Sequence, residues 1–475
     1  MLASLSLGLA VASLACAAAS SNGVRYDPTW ASLDSRPLPQ WYDISKIGVF
    51  IVGGVFSVPS WGKSSGGASG EWFQEEWLGS NGKSGDPAYA NFVRERYDPS
   101  FTYADFAPML TMDLFNATQW AELFVDAGAK YTVFLTKHHD GFTLWPSGTS
   151  PNWNSVDVGP HIDVTGAVSA AVKAAGLHSG LYHSLFEWYN PLYLSDKASN
   201  FTEKNFVSKT MGELVDLVTR YEPELIWSDG DWEAPDAYWD APGNFLAWLV
   251  NESPVKDTVV FNDRWGSGDT CKHGSYYTCS DRYNPGKKQN HKWENAMTLD
   301  KFSWGYRRNA FIDDYLTFAD LMEQLASTVS CGGNLLVNVG PALDGTIPVI
   351  MESLLRQMGA WLRVNGAAIY ATVPWRAQKD GNGTAWLTAA SAAPDADVFA
   401  IMLAWPAGGA PLRLAAPIAS AAMTATLFTA GGGIACSVTG TPGVAGVSVE
   451  LPRYESNLAG TGTDVAWAVR LHGVT

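Results

Sequence analysis

The sequence has few basic residues for its size. Of its 475 residues, 31 are lysine or arginine and 47 are aspartate or glutamate, which gives a formal net charge of −16. An excess of negative charge repels phosphate backbones and anionic lipid headgroups. We therefore expect neither nucleic acid nor a membrane surface as a partner, and the sequence carries no signal for an oligomeric state.

Long apolar runs are missing after the first 20 residues, so no later segment is expected to span a membrane. Residues 1–20 are apolar and uncharged and end in small residues of the Ala-x-Ala type, although the usual basic n-region is absent. Their high Ala and Ser content disfavours a membrane anchor. We predict that residues 1–20 are a signal peptide and that the chain is secreted, or delivered to a compartment such as the lysosome or vacuole.

Cysteine is also scarce, with five in the chain and four once Cys16 leaves with the signal peptide. Cys271 and Cys279 are eight residues apart in a loop rich in Gly, Tyr and Ser, which predicts a loop disulfide. The alternative is a pair of free thiols. Four sequons agree with secretion, although Pro254 makes the third a poor acceptor: Asn116, Asn200, Asn251 and Asn382.

Two cofactor signatures are absent. No glycine-rich phosphate loop opens the first strand–helix unit, which weakens a nucleotide-binding interpretation, and no helical His-Glu-x-x-His motif is present. A metal-dependent hydrolase using His138 and His139 stays open as an alternative, because histidines combined with carboxylates form zinc sites. Aromatic residues, by contrast, are abundant at 12%, with 21 Trp, which suits a site that stacks on sugars.

Apolar runs alternate with amphipathic stretches over most of the chain. Strands that are apolar on both faces and alternate with helices are typical of a parallel sheet covered by helices. We predict a (β/α)8-like (TIM) barrel over residues 21–370, followed by an antiparallel β-sandwich over residues 371–475, where short apolar runs are separated by Gly and Pro turns. The predicted barrel strands are 47–56, 131–136, 179–184, 225–228, 259–262 and 334–339.

Side chains capable of chemistry follow several of these strands, at 137–140, 182–183, 227–229 and 262–265. In a barrel such strand ends meet on one rim, where the active site lies. His138 and His139 can both face a ligand only if the strand has ended, because neighbouring residues on a strand point in opposite directions.

The segment Glu224–Glu233 places carboxylates beside Trp227 and Trp232 at a strand end. Indoles cover the apolar face of a sugar ring, and sugar hydrolysis needs two carboxyl groups. Asp229 is the first choice for the anionic member. Spacing leaves the second open among Asp231, Glu233, Asp263, Asp281 and Glu294, and each acid could instead be a solvated surface residue.

The residues resemble the α-L-fucosidases of glycoside hydrolase family 29, of the eukaryotic lysosomal and secreted type. The resemblance covers about residues 25 to 375. It is carried by 37–41 (PLPQW), 54–59 (GVFSVP), 137–142 (KHHDGF), 180–185 (GLYHSL), 226–230 (IWSDG), 262–266 (NDRWG), 302–306 (FSWGY) and 332–335 (GGNL). It implies a retaining exo-glycosidase that releases terminal α-L-fucose from fucosylated oligosaccharides or glycoproteins by double displacement, without a metal or organic cofactor.

The resemblance also implies roles for individual residues. Asp229 falls on the nucleophile, and Asp281 on the acid/base, with Glu294 as the competing assignment. The positions that resemble the fucose pocket are Glu71, Trp72, His138, His139, His183, Trp227, Arg264 and Trp304.

One stretch departs from the family pattern. Relatives usually have Ile-His-Trp-Gly at the end of the first strand, whereas this chain has Val52 and Gly53 in place of the histidine and tryptophan. Losing a buried donor leaves a sugar hydroxyl unpaired, at a cost of roughly 1 to 3 kcal/mol. This motivates an alternative function, a catalytically weakened fucose-binding protein.

Overall fold

The structure is a computed structural model that describes residues 24–63, 69–80, 82–381, 383, 385–455 and 465–475. The predicted signal peptide (1–20) and the sequon residue Asn382 lie outside the described residues.

The first sheet is parallel, with seven strands in the described residues, and its order is β5-β4-β3-β2-β1-β7-β6. The strands are β1 (Ile47–Ile51), β2 (Tyr131–Lys137), β3 (His178–Ser184), β4 (Leu225–Asp229), β5 (Val260–Phe261), β6 (Trp293–Thr298) and β7 (Gly333–Val339). The predicted barrel-like fold is confirmed, with seven strands where eight were expected. The strand β6 was not predicted, because its buried side chains include the polar Glu294, Asn295 and Thr298.

The segments before, between and after these strands form helices in the described residues. They are α1 (Trp30–Leu33), α2 (Gln40–Ser45), α3 (Phe73–Leu78), α4 (Pro87–Arg96), α5 (Ala117–Asp126), α6 (Val164–Ala174), α7 (Pro191–Ala198), α8 (Val207–Tyr221), α9 (Asp236–Trp239), α10 (Ala247–Asn251), α11 (Phe318–Ser330) and α12 (Val349–Asn365).

Local sequence explains where the best-defined helices begin and which face they bury. Thr317 starts α11 with a capping box, in which its hydroxyl accepts from the Asp320 N–H and the Asp320 carboxylate accepts from the Thr317 N–H. In α8, Met211, Leu214 and Val218 are buried at intervals of three and four residues, which places them on one face.

The second sheet is antiparallel, with eight described strands in the order β11-β14-β13-β12-β15-β10-β9-β8. The strands are β8 (Val373–Lys379), β9 (Ala385–Ala389), β10 (Val398–Met402), β11 (Leu412–Ile418), β12 (Thr424–Thr429), β13 (Gly432–Thr439), β14 (Ala445–Glu450) and β15 (Trp467–His472).

Two neighbouring strands of the second sheet, β9 and β10, are buried on both faces. Trp386, Phe399 and Ile401 belong to the same apolar core as the barrel, whereas Leu387 and Met402 pack into the core of the second sheet itself. The two parts of the chain therefore share an apolar interface.

Candidate active site

A cavity opens at the carboxyl ends of β1 to β4, on the rim where the sequence predicts the site. It is lined by Phe50, Val52, Glu71, Trp72, Leu135, His138, His139, Tyr182, Trp227, Asp229, Trp232, Arg264, Asp281 and Trp304. All of the residues predicted to bind substrate except His183 lie in this set, and the competing acid/base candidate Glu294 lies outside it.

Arg264 joins the two carboxylates that were predicted to carry the chemistry. Its Nη1 donates to Asp229 Oδ1 at 2.9 Å and its Nη2 donates to Asp281 Oδ1 at 2.8 Å. The Asp229 side chain is 12% exposed and the Asp281 side chain is 45% exposed. Asp229 therefore lies at the floor of the cavity, and Asp281 lies at its open rim, one guanidinium group away.

The floor around Asp229 is built from β3 and β4. Tyr182 donates its hydroxyl to Asp229 Oδ2 at 2.8 Å, and His139 Nε2 lies 3.6 Å from the same oxygen. Below them, the guanidinium of Arg264 lies 4.7 Å from the Trp227 ring centroid. Burial opposes the charge of Arg264, but Asp281 and Asp229 outweigh it and raise the pKa of Arg264 above its ordinary value.

Asp263 organises the loop that ends at Asp281. Its Oδ1 accepts from the Thr278 N–H at 2.9 Å and from the Thr278 hydroxyl at 2.6 Å. Its Oδ2 accepts from the N–H groups of Cys271 at 2.7 Å and Cys279 at 3.0 Å. The predicted disulfide between Cys271 and Cys279 is present and closes the same loop. Both carboxylate oxygens of Asp263 therefore accept hydrogen bonds from this loop.

His138 and His139 both line the cavity because β2 ends at Lys137 and the chain turns at Gly141, which has φ 77°. Burial lowers the pKa of His138 well below its ordinary value, and burial together with Lys137 lowers the pKa of His139 to about 3. Both imidazoles are consequently neutral at physiological pH, so each can donate one hydrogen bond and accept another.

Glu71 is a buried carboxylate in the cavity wall. Its Oε2 accepts from the Ser303 hydroxyl at 3.0 Å and from the N–H groups of Trp304 at 3.1 Å and Gly305 at 2.9 Å. Its Oε1 is buried without a hydrogen-bond partner. Burial raises the pKa of the Glu71 carboxyl group. Glu71 thus fixes the loop that carries Trp304 and keeps one oxygen for another partner.

His183, which the sequence predicts to bind substrate, does not line the cavity. His183 is paired across the sheet with Lys137, and its Nε2 contacts Glu213 Oε2 at 3.2 Å on the outer face of the sheet. Tyr182, which the sequence placed at a strand end but did not assign to substrate binding, faces the cavity, level with Leu135 and Trp227. The alternation of side chains along β3 allows only one of the two neighbours to point inward.

Glu294, the competing candidate for the acid/base, lies away from the cavity surface. It is fully buried on β6, where its Oε2 accepts from the hydroxyls of Tyr42 at 2.8 Å and Tyr131 at 2.6 Å. Its Oε1 accepts from Trp227 Nε1 at 3.0 Å. Burial raises the pKa of Glu294 to about 6. The Trp227 indole lines the cavity, whereas the Glu294 carboxylate lies beneath that indole and is not part of the lining.

Glu233, a further candidate for the second carboxyl, accepts hydrogen bonds from the Tyr193 hydroxyl at 2.8 Å and from Lys197 at 2.6 Å, and it is not part of the cavity lining. Asp231 is buried, and burial together with Asp229 raises its pKa to about 7. Asp231 is also outside the lining, and its carboxylate accepts from the Thr270 hydroxyl at 3.3 Å.

Val52 and Gly53, the two departures from the family pattern, lie in different places. Val52 lines the active-site cavity and is 3% exposed. Gly53 instead borders a separate small void, together with Pro341 and Trp120. Only one of the two substitutions therefore changes the surface that a bound sugar would meet.

The sequon residues differ in accessibility. Asn116 and Asn200 are exposed. Asn251 is only partly exposed, and its Nδ2, the atom that a glycan would occupy, donates to the carbonyls of Tyr26 at 2.9 Å and Ala247 at 2.7 Å. The structure therefore argues against the prediction of Asn251 as a glycosylation site.

A family model described as Alpha-L-fucosidase matches residues 12–367. This chain belongs to the alpha-L-fucosidase family. It is similar to alpha-L-fucosidase of Branchiostoma floridae, with 51% identity over 454 residues that cover 95% of this chain and 96% of that protein. It is 55% identical over 391 residues to plasma alpha-L-fucosidase of Homo sapiens, with 82% of this chain and 81% of that protein covered.

Among solved structures, Thermotoga maritima alpha-fucosidase in complex with a mechanism-based inhibitor has a TM-score of 0.78 and 30% identity to this alpha-L-fucosidase family member. The match covers 94% of this chain and 100% of that one.

Within ranges 24–63, 69–80, 82–381, 383, 385–455 and 465–475, no three His, Cys, Asp or Glu side chains are grouped so that they could hold a metal ion. In the same part of the chain, no helix has both the length and the apolar character that a membrane crossing requires.

Proposed function

We propose that this chain is a retaining exo-α-L-fucosidase in which Asp229 is the nucleophile and Asp281 is the general acid and base. The observation that supports this proposal most directly is the guanidinium of Arg264, which holds one oxygen of each carboxylate in the same cavity. Retaining glycosidases place two carboxyl groups about 5 to 5.5 Å apart on either side of the scissile bond.

In the first step, Asp229 attacks the anomeric carbon of an α-L-fucoside and the bond to the departing oxygen breaks. Asp281 donates a proton to that oxygen from Oδ2, because its Oδ1 is held by Arg264. The position of Asp281 at the open rim suits a leaving group that extends into solvent. A covalent fucosyl–enzyme ester on Asp229 results.

In the second step, the ionised Asp281 takes a proton from a water molecule, which attacks the anomeric carbon and releases fucose with Asp229 restored as a carboxylate. Tyr182 and Arg264 each donate to Asp229, so they stabilise the charge that returns to it.

Neutral His138 and His139, with the free oxygen of Glu71, would pair with the sugar hydroxyls. The apolar wall of Phe50, Val52 and Trp304 would cover the carbon-bearing face of the ring.

Azide distinguishes the two carboxylates. With an activated aryl α-L-fucoside, Asp229→Gly should lose nearly all turnover, and azide should restore part of it by giving the fucosyl azide of inverted configuration. Asp281→Ala should lower kcat/KM about 100- to 10,000-fold on a substrate whose leaving group needs protonation, and much less on the activated fucoside. With Asp281→Ala, azide should give the fucosyl azide of retained configuration.

The result that contradicts these assignments is an Asp281→Ala enzyme that loses equal activity on both substrates and yields no azide product. The same assay addresses the alternative of a fucose-binding protein without catalysis, since such a protein would bind fucose and release no aryl group. None of the findings favours that alternative, because both carboxylates are in place despite Val52.

We further propose that the chain is secreted or delivered to a lysosome-like compartment and glycosylated at Asn116 and Asn200. The Cys271–Cys279 disulfide supports an oxidising route, because disulfides persist in that environment. Peptide mapping of the purified protein, with and without enzymatic removal of N-glycans, tests both sites, and unmodified Asn116 and Asn200 would contradict the proposal.

A further inference from the structure

Two acidic side chains outside the cavity meet between the loops that carry the proposed catalytic carboxylates. Asp236 is the first residue of α9, shortly after Asp229 at the end of β4, and Asp269 lies in the loop that leads to Asp281. A Cβ atom built on Gly266 would lie 2.6 Å from Asp236 Cα and 2.9 Å from Asp269 Oδ2. The absence of a side chain at Gly266 is therefore what allows the two acids to approach.

The backbone joins the two loops at the same place. The Ser267 N–H donates to the Ala234 carbonyl at 2.9 Å, within a parallel bridge between Pro235 and Ser267. Asp269 is 5% exposed, and its Oδ2 and Asp236 Oδ1 are both buried without a hydrogen-bond donor. Two carboxyl groups can share a hydrogen bond only when one of them keeps its proton.

The surroundings offer little positive charge to separate the pair. Trp30 Nε1 donates to Asp236 Oδ2 at 3.3 Å, and the Trp30 ring stacks on His273 with centroids 4.8 Å apart. His273 also faces Asp34, with 2.8 Å between Nδ1 and Oδ2. At Asp269, the charge of His273 acts to lower the pKa, and the smaller influence of Asp231 acts to raise it.

The remaining charged groups come from the loop itself. Lys272 donates its backbone N–H to the Asp269 carbonyl at 2.9 Å, and its Nζ lies 4.0 Å from the Cβ position of Gly268. Asp263 is occupied by the N–H groups of the disulfide loop.

We propose that Asp236 and Asp269 form a proton-dependent clamp, a pair of positioning residues that fixes the loop of Asp281 against the loop that follows Asp229. The clamp is closed while the two carboxyls share a proton. Loss of that proton places two negative charges side by side in a buried contact, and the loop of Asp281 loosens. The effect on turnover rests on the proposed role of Asp281, whereas the effect on loop order does not.

Burial, followed by the neighbouring carboxylate of Asp236, raises the pKa of Asp269 from 3.8 to about 7. An acid with a raised pKa in the folded state stabilises the fold fully below its unfolded value, and this contribution is lost as pH rises to the folded value. The clamp is therefore expected to weaken between about pH 4 and pH 7 and to be open above that range.

The test uses Asp269→Asn in the full-length protein, because an amide can donate to the Asp236 carboxylate at every pH. Hydrogen exchange of peptides from residues 265–280 is measured at pH 5 and pH 8 and corrected for the intrinsic exchange rate. Wild-type protein should lose about tenfold protection between these values, whereas Asp269→Asn should lose less than about twofold. In the pH profile of kcat, the activity of Asp269→Asn should persist to a pH about one unit higher than that of the wild type.

Asp395→Asn is the matched control, since it removes one exposed carboxylate of the second sheet's connecting loop and should behave as wild type. Wild-type protection that does not fall with pH, or an equal fall in Asp269→Asn, overturns the proposal. If Asp269→Asn does not fold, Asp236→Asn is measured in its place and is held to the same outcomes. If loop protection changes with pH as expected but the protein has no fucosidase activity, the clamp is retained. Only the proposed catalytic role of Asp281 is then rejected.

Discussion

At the scale of single residues, Glu294 shows how a carboxylate can matter to an active site without touching substrate. It accepts from Tyr42, Tyr131 and Trp227, and the Trp227 ring in turn lies beneath Arg264. The carboxylate thus supports the indole on which the cavity floor is built.

We predict that Glu294→Ala leaves three buried donors without an acceptor and lowers the free energy of unfolding by at least about 3 kcal/mol, since each unpaired group costs about 1 to 3 kcal/mol. Urea denaturation measures this loss. Asp281→Ala, whose side chain is nearly half exposed, should unfold close to wild type. Azide should restore none of the activity lost by Glu294→Ala, and restoration there with none in Asp281→Ala would reverse the two roles.

His183 and Tyr182 are neighbours on β3 that face opposite sides of the sheet. Both are polar residues of one strand end, and the sequence predicts chemistry from either. Their exchange of roles follows from strand alternation, because the row Leu135, Tyr182 and Trp227 faces the cavity while His183 shares the outer face with Lys137. An inward-facing Trp227 was the signal that could have assigned Tyr182.

At the scale of elements, a buried charge network joins β2, α8 and the loop after β3. Lys137 Nζ lies 3.0 Å from Glu187 Oε1 and 2.8 Å from Glu213 Oε2, and Lys209 Nζ lies 2.6 Å from Glu213 Oε1. The Trp188 N–H also donates to the His139 carbonyl at 2.8 Å. The network and this bond therefore hold the loop after β2, which carries His138 and His139, against the loop after β3.

We predict that Lys137→Met lowers the free energy of unfolding by about 3 to 5 kcal/mol, because removing one partner leaves buried carboxylates undercompensated. Arg220→Met on α8 is the control, since its pair with Asp216 is exposed and should contribute less than about 1 kcal/mol. Chemical denaturation of both variants measures the difference. Equal losses in the two variants would show that the network gives no more stability than a surface pair.

At the scale of the whole molecule, the second sheet completes the apolar core of the barrel. Trp361 on α12 donates its Nε1 to the Ala466 carbonyl at 3.1 Å, and Trp386 on β9 donates to Glu323 on α11 at 3.2 Å. A joint core of this kind couples the unfolding of the two parts.

We predict that Ile401→Ala, at a fully buried position in the joint core, lowers the free energy of unfolding by about 2 to 5 kcal/mol. Because the core is shared, calorimetry should show one transition that moves as a whole to lower temperature. Val444→Ala, at a site 52% exposed, is the control and should change little. Two separate transitions, with only one displaced by Ile401→Ala, would contradict the coupling.

The sequence by itself determined the class of fold, the rim on which polar side chains gather and the Cys271–Cys279 disulfide. These features depend on short-range information: apolar runs of strand length, the residues that end a strand, and two cysteines in one loop. The same local order placed Asp229 and the histidine pair at strand ends.

Tertiary structure alone decided which polar residues are interior and which of them meet. Asn295 on β6 is buried because Gln324 and Thr328 of α11 accept from its amide, and Glu294 is buried because donors from α2, β2 and β4 surround it. The approach of Asp236 and Asp269 on either side of Gly266 likewise depends on two loops brought together in space. Most buried polar side chains have hydrogen-bond partners, and here those partners come from elements distant in the sequence.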